Sequence, residues 1–130
     1  MKILGIGTDI VNIKRLDKIF KKRGIKFKKR IFTKNEIKYC DGKINSCAFY
    51  AKRFAAKEAF SKALGTGIGN NVHFKNIEIL NDKFGKPFIN IKGSTNSILM
   101  KKIRNKKYNI FLSISDDSPF AQATVIISCN

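Results

Sequence analysis

The feature of the sequence that most constrains the fold is a long stretch without Gly or Pro, Ser46–Leu64, with the sequence SCAFYAKRFAAKEAFSKAL. Ala, Lys, Glu and Leu are strong helix formers, and Gly65 directly after the stretch is a residue typical of helix ends. The sequence therefore predicts one long helix here, the longest of the chain.

The residues before the long helix predict a strand and two short helices. The opening ILGIGTDIVNI is largely apolar and β-branched, which predicts a buried strand over Lys2–Ile13. We expect Gly24 to end the first short helix, and Thr33 with Glu36 to form a capping box for the second. The first of these helices is basic except along one face, which is apolar at Ile13, Leu16, Ile19 and Phe20.

The residues after the long helix predict two pairs of strands separated by a helix. The runs FKNIEIL and PFINIK flank the turn-rich NDKFGK and together indicate a hairpin. A short helix is expected from about Ser94 to Asn105. The alternating runs YNIFLSIS and FAQATVIIS then flank the turn residues DDSP.

This order of elements, β, α, α, α, β, β, α, β, β, contains few βα alternations. It predicts an α+β fold: a single compact domain over residues 1–130, with a largely antiparallel sheet packed against one long and several shorter helices. A chain of 130 residues, 43% of them hydrophobic, is long and apolar enough to bury a core without disulfides.

The net charge of +18 predicts an anionic partner. Nucleic acid, an acidic membrane surface, a polyphosphate cofactor and an acidic protein would each satisfy this prediction, so charge alone leaves all four open.

The cysteines and the apolar runs bear on cellular location. Cys40, Cys47 and Cys129 lack C-x-x-C spacing, and the single His73 completes no zinc set with them. Free thiols in a reducing cytosol are expected. We find no run of the length of a membrane span and no signal peptide, so we expect a cytoplasmic protein, or a plastid one if a targeting segment has been removed.

Asp9 is the first of two candidate site carboxylates. Period-two alternation puts Gly5, Gly7, Asp9 and Val11 on one face of the predicted strand, so that glycines clear space beside the carboxylate. The alternative interpretation is a partly buried Asp9 satisfied by backbone amides or an Arg.

Glu58 is the second candidate carboxylate, and it lies in the middle of the predicted long helix. The alternative interpretation is a surface pair between Glu58 and Lys62, which would contribute only about 0.3 to 0.5 kcal/mol. One or two carboxylates together with substrate phosphates are the usual ligands of Mg²⁺. Exposed amides of the Gly-rich loop GTGIG after the helix could also receive phosphate, although capping the helix is a sufficient role for it.

Four segments together resemble one known family, the holo-acyl carrier protein synthases, which are 4′-phosphopantetheinyl transferases. They are IGTDIVNIKR, FTKNE, KRFAAKEAFSKALGTGI and FGKP, and they span nearly the whole chain. The resemblance implies an enzyme of fatty acid biosynthesis that moves 4′-phosphopantetheine from coenzyme A to a serine of an acidic acyl carrier protein. It also implies adenosine 3′,5′-bisphosphate as the product, and a homotrimer with active sites shared between neighbours.

The resemblance also implies roles for individual residues. Asp9 and Glu58 are expected to be catalytic as Mg²⁺ ligands, with the metal on the coenzyme A pyrophosphate. Lys62 is expected to be catalytic and, with Ser61 and Gly65, to lie near the diphosphate. The residues expected at the nucleotide end are Arg53, Lys86, Pro87 and Asp116, although a solvated helix face for Arg53 and a simple turn for Lys86 and Pro87 stay open.

Two residues depart from the family's pattern. Asp116 stands where many relatives have a histidine that could contact the nucleotide or accept a proton. Asn12 stands where relatives often have Glu, so the sequence does not determine which groups surround the metal beyond its direct ligands. The serine proton could leave through Glu58, Asp116 or a metal-bound water.

The predicted first helix carries the expected docking surface for the acidic carrier protein. Its apolar face is needed for the core, so the charges of Arg15, Lys18 and Lys22 are expected to point outward.

Two other functions stay open. The twelve Lys and Arg residues between Lys14 and Lys38 would suit a basic nucleic-acid-binding domain, but they occur without a nucleic-acid motif. The departures at Asp116 and Asn12 would suit an inactive relative that binds the carrier protein. The favoured interpretation expects neither a nucleic-acid nor a membrane partner.

Overall fold

The computed structural model describes all residues from 1 to 130. Its strands are β1 (Lys2–Asn12), β2 (Ile77–Asn81), β3 (Pro87–Ile91), β4 (Tyr108–Asp117) and β5 (Phe120–Cys129). Its helices are α1 (Ile13–Arg23), α2 (Ile25–Ile31), α3 (Lys34–Asp41), α4 (Ser46–Leu64) and α5 (Gly93–Lys102), with a 3₁₀ turn at Phe74–Asn76. The predicted α+β fold, with an antiparallel sheet against one long and several shorter helices, is confirmed.

The strands form two antiparallel sheets, one of three strands in the order β1-β5-β4 and one of the two strands β2 and β3. The predicted hairpin is present as β2 with β3, and the last two predicted strands also pair as a hairpin, β4 with β5. The first strand of the chain pairs with the last, from Lys2 opposite Cys129 to Asn12 opposite Phe120. Residues far apart in sequence therefore meet along β1.

The helix boundaries agree with the predicted caps, with two differences. Gly24 ends α1, and the Thr33 and Glu36 capping box begins α3. The helix α2 was missed, because its lysine-rich sequence directly follows the glycine that ends α1. The helix α5 stops before the predicted Asn105, since Arg104 and Asn105 both have positive φ, 54° and 58°.

The strand β1 packs directly on the backbone of α4. A Cβ atom added at Gly5 would collide with the carbonyl oxygen of Ala63, and one added at Gly7 with that of Ala59. These glycines therefore make room for the helix backbone rather than for a ligand beside Asp9, which corrects the expectation from the strand alone. The close approach brings the inner face of β1 against the middle of α4.

A buried ion pair ties α4 to α3 and β2. The side chains of Lys57 and Glu36 are fully buried, and Lys57 Nζ lies 2.8 Å from Glu36 Oε1. Lys57 also donates to the carbonyl oxygens of Phe74 and Ile77, at 2.8 and 2.6 Å. Burial lowers the pKa of Lys57, and the charge of Glu36 opposes that shift.

The outer face of the three-stranded sheet carries exposed apolar side chains among polar ones such as Thr8 and Ser113. Ile6, Ile126 and Phe111 lie in one row across β1, β5 and β4. Ile6 is 63% exposed, Ile10 64% and Phe111 53%. Exposed apolar side chains that lie this close together mark a candidate interaction site. None of the helices has both the length and the apolar character needed to cross a membrane.

Candidate active site

Asp9 lies on the face of β1 that packs against α4, and its only ion-pair partner comes from that helix. Lys62 Nζ donates to Asp9 Oδ1 at 3.0 Å and to the carbonyl oxygen of Thr8 at 3.0 Å. The Asp9 side chain is 16% exposed, whereas that of Lys62 is 51% exposed. Asp9 is therefore satisfied by a lysine, not by backbone amides or an arginine as the alternative interpretation held.

Glu58 shares a cleft with Asp9 and Lys62, and it has no ion-pair partner of its own. Burial raises the pKa of Glu58, and the negative charge of Asp9 raises it further, while Lys62 acts in the opposite direction. The surface pair between Glu58 and Lys62 is therefore the wrong interpretation, since the lysine bonds Asp9 instead. We call this concavity, of about 360 Å³, the carboxylate cleft.

The walls of the carboxylate cleft come from α1, α2 and α4. They include Arg15 and Ile19 of α1, Phe27 of α2 and Phe54 of α4. The ring of Phe54 stacks on that of Phe74, with centroids 5.4 Å apart. The cleft thus combines two carboxylates at one end with apolar and cationic walls.

Asn12 joins β1 to α1 at the edge of the carboxylate cleft. Its Oδ1 accepts a hydrogen bond from the backbone N–H of Arg15 at 3.1 Å, so Asn12 caps the N-terminus of α1. Asn12, which departs from the family's pattern, therefore has a structural role as the cap of α1. Because it is not a carboxylate, the cleft contains only the two carboxylates Asp9 and Glu58.

The donor set of the cleft fits Mg²⁺ better than a metal held by protein ligands alone. The structure has no cluster of three or more His, Cys, Asp and Glu side chains, as a zinc or calcium site would need. Asp9 and Glu58 are two half-buried carboxylates that repel each other, which is a position where a cation is favourable. Phosphate oxygens and water would complete the coordination of Mg²⁺ at such a pair.

Arg53 lies in a separate pocket, which we call the arginine pocket. Arg53 is 3% exposed, so its side chain does not lie on a solvated helix face. Its guanidinium lies 4.1 Å from the ring centroid of Tyr39 and donates to Asn81 Oδ1 at 2.6 Å. Arg53 Nε is buried without a hydrogen-bond partner. The pocket, of about 240 Å³, is lined by Tyr39, Phe49, Lys52, Arg53, Asn81, Gly85, Pro87 and Ile114.

The other residues expected at the nucleotide end relate to the arginine pocket in different ways. Pro87 lines it, and Asp116 Oδ1 lies 3.4 Å from Nζ of the pocket residue Lys52. Lys86 does not line it, because Lys86 belongs to the turn whose N–H groups bond Asp82 Oδ1. A buried guanidinium beside aromatic rings, with its Nε still without a hydrogen-bond partner, is suited to binding an anion that carries a flat ring.

Ser61 and Gly65 make contacts other than those expected from the resemblance. Ser61 is fully buried, and its hydroxyl donates to the carbonyl oxygen of Glu58 at 2.7 Å, so it does not reach the cleft surface. Gly65 has a φ of 88° and ends α4, with its N–H bonded to the carbonyl oxygen of Ser61. Their expected contact with a diphosphate stays a prediction.

The expected docking residues are exposed as predicted. Arg15, Lys18 and Lys22 all lie on the solvent side of α1, because Leu16 and Phe20 are the residues that this helix buries. Arg15 in addition lines the carboxylate cleft. The basic face of α1 and the cleft are therefore adjacent.

Sequence reasoning missed Lys52, Tyr39 and Lys57. Lys52 and Tyr39 line the arginine pocket, and Lys57 holds the segment that follows α4. The signal for Lys57 was its spacing of four residues from Arg53, which places both on one helix face, away from Glu58 and Lys62. Tyr39 comes from α3 and had no such signal.

The thiols do not contribute reactive groups to either pocket. All three cysteines are free. Burial raises the pKa of Cys40 to about 12 and that of Cys47 to about 11, so both stay protonated at neutral pH.

Comparison with known proteins connects this geometry to a family. Residues 5–119 match the family model described as the 4′-phosphopantetheinyl transferase superfamily. The chain is 46% identical over 127 residues to the holo-[acyl-carrier-protein] synthase of Pelagibacter ubique, and this match covers 98% of each chain.

Two solved structures share the fold over almost their whole length. The holo-[acyl-carrier-protein] synthase of Neisseria meningitidis superposes with a TM-score of 0.87 at 40% identity, covering 97% of this chain and 98% of that one. The enzyme of Bacillus anthracis, solved in complex with CoA (3′,5′-ADP), superposes with a TM-score of 0.81 at 38% identity, covering 100% of both. The chain thus belongs to the 4′-phosphopantetheinyl transferase superfamily, among the holo-[acyl-carrier-protein] synthases.

Proposed function

We propose that this chain transfers the 4′-phosphopantetheine group of coenzyme A to a serine hydroxyl of an apo-acyl carrier protein. The observation that carries the proposal is the pair of half-buried carboxylates, Asp9 and Glu58, beside Lys62 in the carboxylate cleft. Two repelling carboxylates in a protein of net charge +18 are a suitable site for a metal-bound pyrophosphate. The relatives named above are holo-[acyl-carrier-protein] synthases, which supports the same reaction.

The proposed transfer depends on Mg²⁺ held by Asp9 and Glu58, where the metal would neutralise the pyrophosphate and polarise its phosphorus–oxygen bonds. Lys62 supplies a further positive charge to the same group from one turn along α4. The serine oxygen attacks the β-phosphorus, the bond to the bridging oxygen breaks, and adenosine 3′,5′-bisphosphate leaves. Positioning and charge neutralisation provide most of the rate enhancement in such phosphoryl transfers.

Glu58 is better placed than Asp116 to accept the serine proton within one protomer. Glu58 lines the carboxylate cleft, whereas Asp116 lies beside Lys52 at the arginine pocket. This placement argues against the alternative of an inactive relative, since neither departure removes a cleft carboxylate.

We propose that the arginine pocket binds the nucleotide end of coenzyme A and that the complete site is shared between copies in a homotrimer. In a single chain the carboxylate cleft and the arginine pocket have no lining residue in common. The uncovered apolar face at Ile6, Ile10 and Phe111 is a suitable surface for a neighbouring copy.

Light scattering tests this assembly. We expect a mass three times that of one chain, and we expect Ile6→Glu with Phe111→Glu to give a folded monomer that has lost turnover. A wild-type monomer that turns over would contradict the shared site.

The proposed partner is an acidic acyl carrier protein, bound on the exposed basic face of α1, and the proposed setting is fatty acid biosynthesis in the cytoplasm. Family membership favours an acyl carrier protein as the partner. Apart from the basic charge, no observation supports a nucleic-acid partner.

Chromatography of the nucleotides tests the reaction. Incubation with coenzyme A and Mg²⁺ should release adenosine 3′,5′-bisphosphate only when an apo-carrier is present. Release without a carrier would indicate hydrolysis, and no release with several bacterial carriers would contradict the proposal.

A further inference from the structure

The ammonium of Lys62 lies against Asp9, where a cation held by the two cleft carboxylates would also have to lie. Lys62 Nζ is 3.0 Å from Asp9 Oδ1 and 3.0 Å from the Thr8 carbonyl oxygen. Glu58 lies one helical turn before Lys62 and lines the same cleft, without an ion-pair partner. The lysine therefore already neutralises part of the charge that would attract a metal.

A divalent cation bound to Asp9 would be repelled by an ammonium that remained on the same carboxylate. Two positive charges a few ångströms apart repel each other strongly in a partly buried site, although solvent screening reduces the repulsion. Tight metal binding at Asp9 therefore requires Lys62 to move away from it.

We propose that Lys62 is a resident counter-ion of Asp9, which weakens metal binding to the free enzyme until the diphosphate of coenzyme A draws the ammonium away. This inference rests on the proposed function, because it assigns a binding order to the same cleft. Metal and nucleotide then bind cooperatively, and each increases the affinity of the other by the same factor.

The exposure of the two partners supports the movement of the lysine rather than of the carboxylate. The Lys62 side chain is 51% exposed on a flexible stem, whereas the Asp9 side chain is 16% exposed on a paired strand. An ion pair with one partner this open to water is weak, so the ammonium leaves it at little cost. A diphosphate presents more negative charge than one carboxylate, so it competes well for the ammonium.

Binding of Mn²⁺, followed by the electron paramagnetic resonance signal of the free ion, tests the proposal without turnover. The full-length protein is titrated with Mn²⁺ in the absence of carrier, with and without coenzyme A, and coenzyme A alone is titrated as a blank. For the wild type we expect coenzyme A to tighten Mn²⁺ binding at least about tenfold. For Lys62→Met we expect the free protein to bind Mn²⁺ up to about fivefold more tightly than the wild type. Coenzyme A should still tighten Mn²⁺ binding to this variant through its phosphate oxygens, but by a smaller factor than for the wild type.

Three variants serve as controls. Lys62→Arg keeps the positive charge and should bind Mn²⁺ as weakly as the wild type. Lys101→Met removes an exposed lysine of α5, outside the cleft, and should change nothing. Asp9→Asn should abolish the binding that coenzyme A enhances. Thermal melts establish that each variant is folded.

Two outcomes would overturn the inference, and they differ in what else they overturn. If free Lys62→Met binds Mn²⁺ no more tightly than the wild type, while Asp9-dependent binding with coenzyme A persists, only the counter-ion role of Lys62 fails. If the wild type shows no Asp9-dependent Mn²⁺ binding even with coenzyme A, the proposed metal dependence fails as well.

Discussion

The two cleft carboxylates are the residues for which function and stability make opposite demands. Burial and the proximity of Asp9 disfavour the charged form of Glu58, so the folded protein contains a group that would be more stable uncharged. A position of this kind is a candidate functional site for a physical reason.

Isosteric neutralisation of either carboxylate tests this conflict. We expect Asp9→Asn and Glu58→Gln each to lower kcat/KM for transfer by at least about a hundredfold, a loss of about 2.7 kcal/mol, because either change removes a proposed metal ligand from a site with few. The free energy of unfolding should fall little for Asp9→Asn and rise for Glu58→Gln. Variants that kept full turnover while melting far earlier would show that the carboxylates have a structural role.

The pH dependence of stability follows from the raised pKa of Glu58. Between the ordinary glutamate pKa of about 4.3 and the higher folded value, the folded state binds more protons than the unfolded state, so stability falls as pH rises. We expect Glu58→Gln to be more stable than the wild type at neutral pH, with the difference vanishing as pH falls below the ordinary value. Urea unfolding across this range measures the difference, and one that grew on acidification would contradict the direction of the shift.

At the residue scale, the sequence identified the cleft carboxylates but not their partner. The positions of Asp9 and Glu58 followed from strand and helix periodicity together with the resemblance. The hydrogen bond from Lys62 to Asp9 depends on the close packing of β1 on α4 at Gly5 and Gly7. The periodicity of the sequence gives no information about that packing.

At the scale of elements, α4 organises the site because its faces have different partners. One face carries Glu58 and Lys62 into the carboxylate cleft, and another carries Arg53 and Lys57 toward α3 and β2. A stretch that is uniformly rich in Ala and Lys does not indicate which of its charges will be buried. The spacing of Lys57 from Arg53 places both on one helix face, but it does not show that this face is fully buried.

The buried ion pair between Lys57 and Glu36 joins α4 to α3, and its contribution to stability can be measured by mutation. Lys57→Met should lower the free energy of unfolding by about 3 to 5 kcal/mol, because it leaves the Glu36 carboxylate buried without its cation. Urea unfolding measures this loss, and the double variant Lys57→Met with Glu36→Gln should recover part of it. Equal destabilisation by the single and double variants would show that the pair is not coupled.

The helix α1 carries the expected docking charges. Because Arg15 also lines the carboxylate cleft, Lys18 and Lys22 provide the cleaner test. We expect Lys18→Glu with Lys22→Glu to raise the KM for the carrier at least about tenfold, or about 1.4 kcal/mol, while coenzyme A affinity barely changes. Steady-state kinetics at low and at physiological salt measures this, since salt screens exposed charges.

A matched control for the Lys18 and Lys22 prediction reverses the charge of two lysines outside α1. Lys101→Glu with Lys106→Glu makes the same change in net charge on and just after α5, and it should leave the carrier KM almost unchanged. Equal effects of the two double reversals would mean that net charge, and not the face of α1, attracts the carrier. Weaker coenzyme A binding by the α1 variant would place that helix in the nucleotide site.

At the scale of the whole molecule, the fold class and both hairpins were predictable, because they depend on local patterns of alternation and turn residues. The pairing of β1 with β5 and the division into two sheets were not predicted, since they join residues at opposite ends of the chain. The separation of the carboxylate cleft from the arginine pocket could not be predicted from local sequence patterns either. It depends on which face of α4 each neighbouring element covers.

The whole molecule also explains how so small a basic chain would act on an acidic protein. The net charge of +18 would attract an acidic carrier over long range, and the proposed docking on the basic face of α1 would orient it beside the carboxylate cleft. In the proposed function the charge would favour encounter, whereas the chemistry would depend on Asp9, Glu58 and Lys62.

The central claim, transfer of phosphopantetheine to a carrier serine, is tested most directly by the intact mass of the carrier. An apo-acyl carrier protein is incubated with this protein, coenzyme A and Mg²⁺, and a carrier with its acceptor serine changed to alanine serves as the control. We expect the carrier to gain the mass of one phosphopantetheine, and the alanine carrier and the Asp9→Asn enzyme to give no gain. A wild-type carrier of unchanged mass, across several bacterial carriers, would contradict the account.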